Sequence, residues 1–245
     1  MRTDDAPPET ADGRSLTTQA FERLRGDILS GRLQPSQRLR IQALSDHYQI
    51  GATAIREALF RLLADGLVES EDQRGFNVAP VAKEDVFDLI DTRIELESSA
   101  LRSSIERGGI EWESALLANY HRLVKTPPPS SPENLPAWDE AHRRFHEALL
   151  AGCQSRWTLK MCRMLFDQSE RYRNLAYTGT SKYKRDLRSE HRLLMEATMA
   201  RDPEKATQLL ADHYTATKQI ILKDAFEMAG GAGKPAQRRG RKLQG

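Results

Sequence analysis

Residues 52–81 read ATAIREALFRLLADGLVESEDQRGFNVAPV. Two periods meet in this stretch. Ile55, Leu59, Leu62 and Leu63 recur at helical spacing as far as Gly66. The remainder splits into two short strand-like runs, Leu67 to Glu69 and Gly75 to Val78, about a polar turn. Upstream, Ala20, Leu24, Ile28 and Leu29 predict a helix from Thr17 that stops near Gly31. Ile41 to Tyr48 predicts a second short helix, followed by a turn at Gln49-Ile50-Gly51. Three helices and a hairpin between residues 15 and 80 are the outline of a winged helix-turn-helix.

From Val86 the pattern changes to long helical periods with no strand signal. Val86, Leu89, Ile90, Ile94, Ala100, Leu101 and Ile105 outline one helix, ended by Gly108-Gly109, and Trp112 to Lys125 a second. TPPPSSPENLP (126–136) breaks the run, because three successive prolines do not continue a helix. Further helices are predicted near 137–151, 155–176, 182–200 and 203–228, the last opened by Asp202-Pro203. The expected fold is mainly α, a winged helix-turn-helix at 15–80 and an all-helical bundle at 86–228, joined by a linker at 81–85. The polar residues 1–14 and the basic, glycine-rich 229–245 read as disordered.

The 245 residues are 39% apolar and 29% charged, and every apolar run is cut short by charges, so no membrane span is expected. The N-terminus has no apolar stretch of the signal-peptide kind, which predicts a cytoplasmic protein. Cys153 and Cys162, nine positions apart and read as lying in one helix, are expected to be buried or idle thiols.

In a helix-turn-helix the second core helix lies in the major groove. Thr53 and Arg56 sit off the apolar face near its start. Arg40 precedes the first core helix, Arg61 follows Arg56, and the hairpin tip would carry Arg74 and Gly75 toward the minor groove. Arg32, Arg38, Arg40, Arg56 and Arg61 against Asp46 and Glu57 give a local charge of +3, which by itself fits either a phosphate-facing surface or an ordinary solvated one.

WDEAHRRFHEAL (138–149) puts His142 and His146 one turn apart on a single helix face. Arg143 stands where a zinc protease needs glutamate, so the HExxH pattern is absent. Asp139 shares the face, and His191 and His213 fall in two later amphipathic helices. Arg93 lies on the inward face of its helix with Glu97 four residues on. A buried arginine needs a partner, and Glu97 and an anionic ligand are both open to it. Of Arg171-Tyr172-Arg173, one residue is expected to enter the cavity, Arg173 or Tyr172 foremost, with the other two on the surface.

LRGDILSGRL (24–33), IREALFRLLADGLV (55–68) and RGFNV (74–78), in that order and spacing, closely resemble the winged-helix domain of the GntR family of bacterial transcription regulators. The resemblance implies that Arg56 and Gln42 contact DNA. Ala52 stands where the family often has a base-reading arginine, so the operator is expected to differ. The helical part resembles the FCD-type effector domain of the family's FadR branch, through RFHEALL and EHRLLMEATMARDPEKATQLLADHY. That domain holds a metal by D-x-x-x-H on one helix and single histidines on two others, which implies His146, His191 and His213 here. His142 occupies the place of the aspartate. Either four histidines bind, favouring Zn²⁺ or Ni²⁺ over harder ions, or Asp139 supplies an oxygen. DTRIELESSA (91–100) resembles the family's R-x-x-[LI]-E element, and WESALLANYHRL (112–123) with RYRNL (171–175) resembles a subgroup that includes a carbon-starvation repressor responsive to a dicarboxylate. The expected protein is a regulator, not an enzyme, and has no catalytic residues. It would be a homodimeric repressor on a pseudo-palindromic double-stranded DNA operator, controlled by a small organic acid bound near a divalent metal by Arg93, Tyr172 and Arg173. A metal-dependent hydrolase built on the histidines, and a constitutive DNA-binding protein whose helical domain only dimerises, are the rivals.

Overall fold

In the computed structural model, residues 14–71, 75–127, 134–177 and 185–227 are described. The N-terminal unit comprises α1 (Leu16–Leu29), β1 (Arg38–Leu39), α2 (Ile41–Tyr48), α3 (Ala52–Ala64), β2 (Val68–Glu71) and β3 (Gly75–Val78). Its sheet is antiparallel, ordered β1-β3-β2, with Ser70 opposite Phe76 and Arg38 opposite Asn77. β1 escaped the sequence reading because two residues carry no alternation to detect. Ser15 caps α1, its hydroxyl accepting from the Thr18 amide at 3.2 Å. Gly66 follows α3 at φ +71, a left-handed turn that drops the chain straight into β2. Leu24, Ile28, Ile55, Leu59, Leu62 and Leu67 interlock as the core of this unit.

Among the described residues six helices follow: α4 (Lys83–Arg107), α5 (Ile110–Lys125), α6 (Leu135–Ala151), α7 (Arg156–Tyr177), α8 (Leu187–Met199) and α9 (Pro203–Ile221), the last running into a π-helical turn, Leu222–Glu227. Residues 83–85 of the segment read as a linker are the first turn of α4, where Glu84 and Asp85 favour the helix dipole. α4 ends at Gly108, where a Cβ would lie 2.1 Å from the Trp112 ring. Asp202 caps α9, accepting from the Lys205 amide at 3.0 Å, with Pro203 in the first turn. α4 packs along α9, and Ile90, Leu101, Leu116, Phe145, Leu149 and Leu210 fill the bundle's centre. Cys153 lies in the turn before α7 rather than in one helix with Cys162, because α6 stops at Ala151; both thiols are free and buried. Among the described residues no helix is long and apolar enough to cross a membrane.

α7 touches both units. Asp167 accepts from Arg25 of α1 at 2.5 Å and pairs with Arg143 of α6. Gln168 donates to the Asp65 carbonyl at 2.9 Å, and Arg171 to the carbonyls of Ala79 and Pro80 at 2.9 and 3.1 Å. Asn174 Nδ2 donates both to the Leu29 carbonyl at 3.1 Å and to Asp139 of α6 at 3.0 Å. Arg171, expected at the surface, is 2% exposed, because those two carbonyls at the end of β3 are left unpaired by the sheet.

Candidate functional site

The bundle's centre is polar. His142 and His146 of α6, His191 of α8 and His213 of α9 are all buried, and one ring nitrogen from each lies within 4.8 Å of the others. The Nε2 atoms of His142 and His146 are 3.1 Å apart, close to the roughly 3.3 Å between two nitrogens on a tetrahedral zinc with bonds near 2.05 Å. The outward nitrogens of His146 and His213 are held, whereas Nδ1 of His142 is buried with no hydrogen-bond partner among the described residues. His146 Nδ1 donates to the Tyr214 hydroxyl at 3.0 Å, and that hydroxyl donates to Glu97 at 2.6 Å. His213 Nδ1 meets Glu190 at 2.9 Å, with Arg185 locking the carboxylate at 2.5 Å. His191 bonds the Leu187 carbonyl, and its Nε2 is buried with no hydrogen-bond partner among the described residues. Trp138 stacks on His142 at 4.5 Å. Bonds of this kind fix tautomer and ring orientation behind a metal. An orphaned buried Nε2 is what an ion would satisfy, so the set fits one divalent metal of the imidazole-preferring kind.

Burial first, and then the neighbouring histidines and arginines, push His142, His146 and His213 well below their ordinary value. Burial takes His191 down to about 4. All four are therefore neutral at physiological pH. Their unfolded counterparts take up protons near 6.5. The unfolded chain thus binds more protons below that pH, and stability is full above 6.5 and lost as pH falls toward 4. The expected loss for metal-stripped protein is up to about 1.4 kcal/mol per pH unit for each histidine. Urea midpoints between pH 7 and 5 check this; a flat series would refute it.

Arg93 is 2% exposed and donates through Nε to Glu97 at 2.7 Å, while its Nη2 has no partner among the described residues. Its guanidinium lies 4.1 Å from the Tyr214 ring centroid and 5.2 Å from that of Phe166. Both partners anticipated for it are thus compatible: Glu97 takes one edge and leaves a donor for an anion. Arg173 lies 5.8 Å from the Phe166 ring centroid and donates to Asp139 at 2.9 Å.

Two expectations change. Asp139 stands outside the nitrogen cluster, its oxygens committed to Arg173 and Asn174. It faces α7, where Arg173 and Asn174 each take one of its oxygens. Tyr172 is fully buried but turned away from the histidines, its hydroxyl donating to Asp85 at 2.5 Å and accepting from the Ala82 amide at 3.3 Å. Tyr214, Glu190, Asn174 and Phe166 were missed. Tyr214 and Glu190 sit beside His213 and His191 in chain order, the only signal the sequence offered for them.

On the N-terminal unit Arg40, Gln42, Thr53, Arg56 and Arg61 are all exposed. Gln42 donates to Asp46 at 2.9 Å, and Arg61 lies 4.0 Å over the Phe21 ring. Gly75 is exposed at φ +80 and starts β3, whereas Arg74 falls outside the described residues.

Residues 16–78 match the family described as bacterial regulatory proteins, gntR family, and residues 88–216 match the FCD domain. A Paraburkholderia xenovorans protein named as the uncharacterized HTH-type transcriptional regulator BphR is 39% identical over 221 residues, 89% of this chain and 90% of that one. The HTH-type transcriptional repressor GlaR of Escherichia coli is 36% identical over 202 residues, 81% of this chain and 92% of that one. Among solved structures, E. coli McbR/YncC superposes with a TM-score of 0.71 at 22% identity, covering 86% of this chain and 98% of that one, a likeness of fold.

Proposed function

The chain belongs to the bacterial gntR family and carries an FCD domain, so it is a DNA-binding transcription regulator and not an enzyme, and from that premise we propose that it is a metal-dependent repressor controlled by a small carboxylate. In this reading residues 15–80 are the reading head, residues 86–228 hold the effector, and a homodimer presents two heads to a pseudo-palindromic operator. The name of the GlaR relative supports repression. One observation carries the control: four buried histidines from three helices, with the unpartnered Nη2 of Arg93 in the same centre. A divalent ion held by His142, His146, His191 and His213, zinc or nickel by donor type, keeps its full charge among neutral ligands and attracts an anion. Arg93 and Arg173 would orient that anion.

The route to DNA is α7. Asp139 joins Arg173 at the centre to Asn174, and Asn174 also holds the Leu29 carbonyl of the reading head. A carboxylate that draws Arg173 away from Asp139 favours one placement of the head over another, provided it binds the two placements unequally. The test measures affinity for a selected DNA site with and without metal and carboxylate. We expect a change of about tenfold in wild type, the size of an ordinary coupling energy. Asn174→Ala should keep metal and DNA binding and lose most of that response. A wild type indifferent to both ligands would sink ligand control; an Asn174→Ala protein that responds fully would sink the route.

Thr53, Arg56, Arg61 and Arg40 are proposed as DNA contacts, with Gln42 beside them and the wing at Arg74 and Gly75. Arg56→Ala should weaken operator binding about 10- to 100-fold, as expected for a base-contacting arginine. Fluorescence anisotropy on specific and scrambled DNA checks it: an equal loss on both would make Arg56 a phosphate contact instead.

A further inference from the structure

A cavity of about 310 Å³ opens between α5, α6 and α7. Its inner end is formed by Glu97, His146, Cys162 and Phe166, the edge of the histidine centre. Its walls are Ala115, Ala148, Leu150, Ala151 and Leu159, and its polar groups, Asn119, Arg144, Glu147 and Arg163, complete the lining. At the roughly 30 Å³ that a water molecule takes in the liquid, the space holds about ten non-hydrogen atoms. Arg93 stands behind the inner end, bonded to Glu97 and 5.2 Å from the Phe166 ring centroid. Glu97 there is balanced by Arg93 and by the Tyr214 hydroxyl.

We propose that the effector is a monocarboxylate with an aromatic or similarly apolar body, its head at the His146–Arg93 end and its body in the alanine-lined slot. This rests on the carboxylate reading above and names the ligand class. Three alanines leave the slot, and Phe166 and Leu159 add apolar lining that a ring would meet. Apolar walls of this kind gain from displacing water with carbon, whereas a second carboxylate midway along them would lose its hydration without a partner. Of the two arginines in the lining, Arg144 is already paired with Glu140 at 2.6 Å, and Arg163 is offset by Glu147 of the same lining. The specificity-determining residues are Ala115 and Ala151, whose size keeps the slot open.

The test uses the zinc-loaded full-length chain, with metal content measured beside thermal melts. The probes are benzoate, phenylacetate, succinate and glutarate. At ten times its dissociation constant an aromatic acid should raise the melting temperature by about 4 °C, with the dicarboxylates giving far less. Ala115→Phe, and independently Ala151→Phe, should abolish that shift while retaining one metal per chain and the melting temperature of the unliganded protein. Dicarboxylates stabilising as well as the aromatic acids, or aromatic stabilisation unaffected by both slot variants, would overturn the proposal. Bound metal with no response to any of the acids would also overturn it and leave the metal centre standing. Absence of metal would overturn the reading beneath it as well.

Discussion

His191→Ala is expected to empty the proposed metal centre: metal content should fall from one ion per chain to a small fraction, and the melting temperature of the metal-loaded protein should drop by about 10 °C. The size of the drop follows from linkage. An ion present at about a thousand times its dissociation constant stabilises the fold by about 4 kcal/mol, and each kcal/mol is worth about 2–4 °C in a chain of this size. The ligand most exposed to the test is His191, because its Nε2 has no other hydrogen-bond partner among the described residues. Elemental analysis and calorimetry check the result. The control is chelation: the gap between metal-loaded and stripped protein, about 10 °C in wild type, should vanish in the variant, whatever the truncation of a buried imidazole itself costs. If His191→Ala keeps its metal, the three remaining histidines are the site and His191 is a structural residue.

Arg93→Leu should give the second large effect, a loss of about 3–5 kcal/mol, because Glu97 is left buried without its counter-charge, the Tyr214 hydroxyl being its remaining hydrogen-bond partner among the described residues. Both members of the pair are 2% exposed, so water screens little of the interaction. Adding Glu97→Leu should restore most of the stability, since replacing a whole buried pair by apolar groups is often neutral. The double variant then separates two roles. It should fold and bind DNA yet ignore carboxylates, having lost the Nη2 donor. Urea denaturation and operator affinity in the presence of acid read the two roles independently. A double variant that still responds to acid would assign the anion to Arg173 alone.

The fold was largely legible. Helices α1 to α3, the hairpin and the run of bundle helices follow from apolar residues recurring at 3.6 or 2 positions, and such periods are local properties of the chain. His142 and His146 were legible for the same reason, since one turn of helix fixes their separation whatever else the protein does. His191 and His213 needed the family resemblance, because no local period links three different helices.

What the sequence by itself determined is therefore which residues share a face: the reading surface of α3, the histidine pair on α6, Arg93 with Glu97 on α4. Only the tertiary structure decided what each face meets. It gave Asp139 to Arg173 and Asn174, turned Tyr172 to Asp85, sent Arg171 to the carbonyls of Ala79 and Pro80, and brought Tyr214 between His146 and Glu97. The reason is geometric. Spacing within a helix is set by its own backbone hydrogen bonds, whereas the side chain that arrives from a neighbouring helix depends on crossing angle and register. Those are fixed by the packing of the whole bundle at once.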